Sequence, residues 1–132
     1  MPLEDYGFVP VGEWRLTDTV KSGITFRLDR YHNERVIYAF AVDGIPKYVG
    51  VCEKSNTTLS HRMGRYRGMV GAGTNQRIAE AIRRSLEGRG TVKIWALSPE
   101  SRLKYRGLDV DLVKGLENPL LHQLDPDWNI HK

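Results

Sequence analysis

Two β-rich runs separated by a tight turn constrain this chain more than any other feature. Val36-Ile37-Tyr38-Ala39-Phe40-Ala41-Val42 and Lys47-Tyr48-Val49-Gly50-Val51-Cys52 flank the turn residues Asp43-Gly44-Ile45-Pro46. β-Branched and aromatic side chains fit a pleated, half-buried surface, and Asp-Gly supplies the positive φ angles of a tight hairpin turn. The segment predicts an antiparallel hairpin. A lone hairpin is marginal in water, so other elements must cover it.

The flanking sequence supplies them. Thr57 or Thr58 can cap a helix that starts near Leu59, with Leu59, Met63 and Tyr66 on one face. Arg62 and Tyr66 sit one turn apart on it and can face the same site. Gly68 to Gly73 is a glycine-rich loop whose spacing fits neither a P-loop nor a dinucleotide fingerprint. Thr74 or Asn75 can cap a second helix, striped by Ile78, Ile82 and Leu86 and stopped at Gly88. Thr91 to Leu97 reads as a strand and Ser98 to Gly107 as a loop. A helical pattern resumes near Val110 through Leu112, Val113 and Leu116; Pro119 should kink it or open a new helix, which Leu120, Leu121 and Leu124 continue. Asp125-Pro126-Asp127 breaks the chain before Trp128-Asn129. The order is β-β-α-α-β-α, an α/β (α+β) fold with a small, mainly antiparallel sheet flanked by helices.

Residues 1–35 hold only short apolar pieces, Phe8 to Val11, Trp14, and Ile24 to Leu28, and predict a short strand or two. They read as an extension packed on a domain formed by residues 36–132, one compact unit of 132 residues overall. No apolar run approaches the roughly 20 residues of a membrane span. Glu4 and Asp5 stand where a secretory leader carries positive charge, so the cytoplasm is the expected compartment. The lone Cys52 cannot form an internal disulfide and reads as a small buried apolar residue.

The formal charge is +4 and the pI about 9.3. Arg62, Arg65, Arg67, Arg77, Arg83, Arg84 and Arg89 crowd the middle of the chain, opposed there by Glu80 and Glu87. Arginine forks match phosphate oxygens, although a solvated helical face has the same composition. His32, His61, His122 and His131 have no spacing that suggests zinc, and Trp14, Trp95 and Trp128 read as core.

The order of particular residues is more specific. Val36-Ile37-Tyr38 followed by Tyr48-Val49-Gly50 resembles the paired segments that name the GIY-YIG nucleases. Arg62 in the following helix, Glu117 in the last helical segment, and the ending Pro126-Asp127-Trp128-Asn129 continue the resemblance over residues 36–129. Val36 departs from the family glycine, Val49 replaces isoleucine, and Tyr66 stands where many members have histidine. Some restriction enzymes of the family have tyrosine there.

The resemblance implies a metal-dependent endonuclease that hydrolyses phosphodiester bonds of DNA, double-stranded for preference, in a restriction-type or repair-type role. A homodimer is compatible with it. The implied cofactor is Mg²⁺ or Mn²⁺, held by Glu117 as the one protein ligand. Tyr38, Tyr48, Arg62, Tyr66 and Glu117 become the catalytic candidates: Tyr38 as general base, Arg62 on the scissile phosphate, Tyr48 and Tyr66 bonding to water or phosphate. Gly50 and Asn129 are structural supports. Lys47, Arg65, Arg67 and Arg77 are candidates for contact with the nucleic acid. These types suit the chemistry, because phosphodiester hydrolysis needs cations on the phosphate oxygens and a base for water. A phenol with a pKa near 10 needs a nearby cation to serve as that base. Two other readings stay open: a catalytically silent nucleic-acid-binding module that keeps the fold, and an RNA nuclease.

Overall fold

In the computed structural model, which describes residues 2–71, 73–99 and 103–130, the chain opens with a 3-10 turn over Leu3–Tyr6. It continues through β1 (Val9–Leu16), β2 (Ile24–Leu28), β3 (Ile37–Val42), β4 (Ile45–Val51), α1 (Leu59–Arg67), α2 (Thr74–Glu87) and β5 (Val92–Leu97). A two-stranded ribbon, β6 (Lys104–Tyr105) and β7 (Leu108–Asp109), precedes α3 (Leu112–Gly115) and α4 (Glu117–Leu124). The main sheet has five antiparallel strands in the order β2-β1-β5-β3-β4. The mainly antiparallel sheet with flanking helices is the fold class expected from the sequence. Among the described residues, no helix is long and apolar enough to cross a membrane.

Residues 1–35 contribute two of the five strands. β1 pairs with β2 on one side and β5 on the other, so β5 joins that hairpin to the β3–β4 hairpin. Trp14 and Val11 are buried in the same core as Tyr38 and Phe40.

β3 is covered on both faces, which its unbroken apolar sequence requires. Tyr38 and Phe40 point toward α1 and α2, and Ile37, Ala39 and Ala41 toward Val113, Leu120 and Leu121 of α3 and α4. The turn is tighter than the four residues expected. Asp43 and Gly44 take φ of 50° and 85°, and Ile45 and Pro46 already belong to β4. The register slips between Phe40 and Ala41, because Ala41 faces Pro46 while Phe40 faces Tyr48. Lys47 is the extra residue of a β-bulge.

Helix boundaries follow expectation except at the start of α2. Thr58 caps α1, accepting from the His61 N–H at 3.2 Å, but neither Thr74 nor Asn75 caps α2. Gly73 takes that position, and the Asn75 side chain donates to the Val70 carbonyl at 2.6 Å. α2 does end at Gly88, yet the left-handed residue is Arg89, at φ 69°. The last helical pattern is broken at Leu116, and Pro119 lies in the first turn of α4, where its missing N–H costs nothing. The stretch expected as a loop, Ser98 to Gly107, contains β6 and the β6–β7 turn.

Candidate active site

Four side chains from three elements converge where β3, β4 and α1 meet. Tyr38 (β3) and Tyr48 (β4) stand on the same sheet face, because Tyr38 faces Gly50 and Tyr48 faces Phe40 across the ladder. Tyr66 descends from α1 onto both rings. The Tyr38 and Tyr66 hydroxyls are 2.6 Å apart, and Tyr66 donates to Tyr48 at 3.4 Å. Arg62, one turn before Tyr66, donates Nε to the Tyr38 hydroxyl at 3.2 Å and Nη2 to the Tyr66 hydroxyl at 3.0 Å. Its Nη2 also reaches Asn75 Oδ1 at 3.5 Å.

Gly50 makes this packing possible. A Cβ there would lie 2.6 Å from both the Cζ and the hydroxyl of Tyr38, so the phenol occupies the space a side chain would take. The glycine at this position is therefore explained by close approach, not by its backbone angles.

Above the cluster opens a cleft of about 450 Å³. Tyr38, Tyr48 and Arg62 reach its floor, and Glu117, at the start of α4, reaches it from the other side of the sheet edge. Glu53, Lys54, His61 and Arg65 complete its rim. Glu53 and Lys54 are not among the residues the sequence points to, and His61 enters there only as a poor zinc ligand. A local signal existed for them: Glu53 and Lys54 directly follow the strand that carries Gly50, and His61 and Arg65 are one helical turn apart beside Arg62.

The electrostatics divide the site in two. Burial pushes the Tyr38 phenol well above its ordinary value, and Tyr48 adds to this; Arg62 pulls the other way without cancelling it. Tyr48 and Tyr66 are raised by burial as well. In this state the three phenols hold their protons at neutral pH. Burial works against the Arg62 charge, and its contacts with Tyr38 and Tyr66 more than offset that, so Arg62 stays cationic. Glu117 is raised by burial and then by the negative charge of Glu53. A half-buried carboxylate facing a second carboxylate is unfavourable unless a cation stands between or beside them. That donor set fits a hard divalent ion that keeps most of its waters. Among the described residues, no group of three or more His, Cys, Asp or Glu is placed to hold a metal ion.

Of the four basic residues considered for contact with nucleic acid, Arg65 lines the cleft. Lys47 pairs with Asp127 at 2.9 Å, Arg77 donates to the Trp128 carbonyl at 2.8 Å, and Arg67 stacks over the Phe26 ring at 4.7 Å. These three hold the fold's own segments together. Asn129 does the same: its side chain accepts from the Val49 N–H at 3.0 Å and donates to the Val49 carbonyl at 2.9 Å.

A five-stranded antiparallel sheet with helices on both faces defines the class of fold. Two solved structures share it. A point variant of bacteriophage T4 EndoII superposes with a TM-score of 0.69 at 22% identity, over 96% of this chain and 94% of that one. The restriction endonuclease Hpy188I, in complex with product DNA, superposes with a TM-score of 0.57 at 18% identity, over 93% of this chain and 79% of that one. At these identities the likeness is one of fold. No protein-family model and no curated protein sequence matches the chain.

Proposed function

We propose that this protein is a divalent-metal-dependent endonuclease of the GIY-YIG type that hydrolyses phosphodiester bonds of double-stranded DNA. The observation that carries the reading is the meeting of Tyr38, Tyr48, Arg62 and Tyr66 in one hydrogen-bonded cluster under a cleft shared with Glu117. Tyr38, Tyr48, Arg62 and Glu117 line that cleft from widely separated parts of the sequence, and a purely structural role for each would not require it. A fold shared with a restriction endonuclease held with product DNA supports the choice of substrate.

In this reading Arg62 neutralises the scissile phosphate while it remains bonded to the tyrosines. Tyr38, once its own proton has passed to solvent, takes the proton of the attacking water as the new P–O bond forms and the ester P–O bond breaks; the leaving oxygen takes up a proton from solvent, and the Tyr66 and Tyr48 hydroxyls accommodate the rearranged hydrogen bonds. Burial opposes ionisation of Tyr38, so it can serve as base only when positive charge stands at the cleft. Glu117 would hold Mg²⁺ or Mn²⁺, with Glu53 near it. Such an ion, when bound, supplies charge for the phosphate oxygens and lowers the pKa of a bound water. Lys54, His61 and Arg65 on the rim suit the flanking phosphates. Residues 36–132 carry all of these groups, and residues 1–35 serve as the extension that widens the sheet. The tyrosine at position 66 favours a restriction-type role over a repair-type one, and two copies acting together would cut both strands.

The test is incubation of the purified protein with supercoiled plasmid in Mg²⁺, in Mn²⁺ and in chelator. Nicked or linear product in either metal and none in chelator is the expected result. A folded protein that shifts DNA in a gel and leaves plasmid intact in both metals would instead be the silent binding module.

A further inference from the structure

Glu117 reaches the cleft from α4, and the rim it faces belongs to the loop after β4. One guanidinium spans the two. Arg35, which immediately precedes the buried Val36, donates Nε to the Lys54 carbonyl at 3.1 Å and Nη2 to the Glu53 carbonyl at 2.6 Å. The same group forks the Asp111 carboxylate, Nη1 to Oδ1 at 2.9 Å and Nη2 to Oδ2 at 2.8 Å. Asp111 is the N-cap of α3, accepting from the N–H groups of Val113 and Lys114 at 3.1 and 3.4 Å. α3 passes through the single residue Leu116 into α4, whose first residue is Glu117. The path from the rim carbonyls of Glu53 and Lys54 to the carboxylate of Glu117 therefore runs through one planar fork and a short, capped pair of helices.

We propose that the Arg35–Asp111 pair is a positioning strut that fixes Glu117 at its working distance from the Glu53–Lys54 rim, and so sets the affinity of the cleft for a divalent cation. The inference rests on the reading of Glu117 as a metal ligand. Arginine suits the role because its fork presents several donors in one plane; lysine, a point charge on a flexible stem, cannot hold two carbonyls and a carboxylate together. The partners are 76 positions apart, and the pair touches neither the tyrosine cluster nor Arg62 through any of its own hydrogen bonds among the described residues. Its loss should leave Arg62 and the tyrosine cluster in place and loosen Glu117 relative to the Glu53–Lys54 rim. Groups that orient a metal ligand typically change metal affinity by about 10- to 100-fold when removed.

The experiment is a Mn²⁺ titration of the full chain followed by electron paramagnetic resonance, in which bound Mn²⁺ loses the sharp signal of the free ion. Wild type, Glu117→Gln, Asp111→Ser and Arg35→Lys are compared, each with its melting midpoint. Serine caps a helix as well as aspartate does, so Asp111→Ser keeps the start of α3 and removes the fork. The expected result is loss of binding in Glu117→Gln and about tenfold or greater weakening in Asp111→Ser and Arg35→Lys, with all four proteins folded at the assay temperature. In cleavage assays the strut variants should need more Mn²⁺ for half-maximal rate, in the same ratio, and reach a similar rate at saturation. Loss of binding in Glu117→Gln beside unchanged affinity in Asp111→Ser would overturn the strut alone. Equal Mn²⁺ binding by wild type and Glu117→Gln would overturn the metal reading of Glu117, and the strut with it.

Discussion

The hydroxyl of Tyr38 is bonded to Tyr66 and Arg62 in a place where its ring is only 1% exposed. Its removal therefore has two separable effects. Tyr38→Phe keeps the ring packing and takes away the proton acceptor, so cleavage should fall by about 10²-fold or more. It also leaves the Arg62 and Tyr66 groups short of a buried partner, which typically costs about 1–3 kcal/mol. Denaturant unfolding and plasmid cleavage measure the two effects; a variant that cuts at the wild-type rate would remove Tyr38 from the mechanism. The facing glycine is a sharper probe of geometry. In Gly50→Ala the new methyl would stand 2.6 Å from the phenol, and the interior strand β3, packed on both faces, resists a shift. Overpacking of that kind costs about 1–3 kcal/mol, and cleavage should be lost with it because the Tyr38 hydroxyl is displaced from Arg62. An unchanged melting midpoint would show that the ring can move aside freely. Both residues were legible in the sequence as parts of a motif. The reason for the glycine was not, because it depends on which residue β3 places opposite it.

At the scale of elements, the C-terminal segment acts as a strap on the free edge of β4. Among the described residues β4 pairs only with β3 in the main sheet, so its outer N–H and C=O groups need partners or water. Trp128 donates its N–H to the Lys47 carbonyl at 2.8 Å, and the Asn129 amide makes both bonds to Val49 that a neighbouring strand would make. Lys47–Asp127 and Arg77–Trp128 hold the strap down from either side. Asn129→Ala should release the segment, lower stability by about 1–3 kcal/mol for the unsatisfied backbone pair, and speed hydrogen exchange at the Val49 amide above all. Slow exchange at Val49 in that variant would mean the strap has another anchor. The hairpin, the helix stripes and the Thr58 cap could be read from sequence because each depends on spacing within a few residues. The roles of Lys47 and Arg77 could not, since their partners lie 80 and 51 positions away. A basic residue looks the same in sequence whether it faces phosphate or a carbonyl of its own chain.

For the molecule as a whole, long-range pairing decided what local pattern could not: the place of residues 9–28 in the sheet, and the meeting of Glu53 with Glu117. That second meeting makes stability depend on pH and on metal together. The carboxyl of Glu117 titrates above its ordinary value of 4.5 in the folded protein, through burial and then through Glu53. Between the unfolded and folded values the folded state binds more protons than the unfolded one, so stability falls as pH rises through that window and stays reduced above it. Asp111 acts in the opposite sense: its pair with Arg35 lowers it below 3.8, so its contribution is present at higher pH and is lost as pH falls through the folded value. Its exposure makes that contribution small. In chelator, Glu117→Gln should therefore raise the melting midpoint at neutral pH and flatten its fall as pH rises above the ordinary carboxylate value of 4.5, while the acid-side loss remains. A ligand that binds only the folded state stabilises by mass action, so Mg²⁺ or Mn²⁺ should raise the midpoint of the wild type and leave that of Glu117→Gln unmoved. Melting curves of both proteins across pH, in chelator and in metal, test this in one series. If Glu117→Gln melts below wild type in chelator at neutral pH, the carboxylate is a stabilising structural group and the cleft carries no unmet demand for a cation.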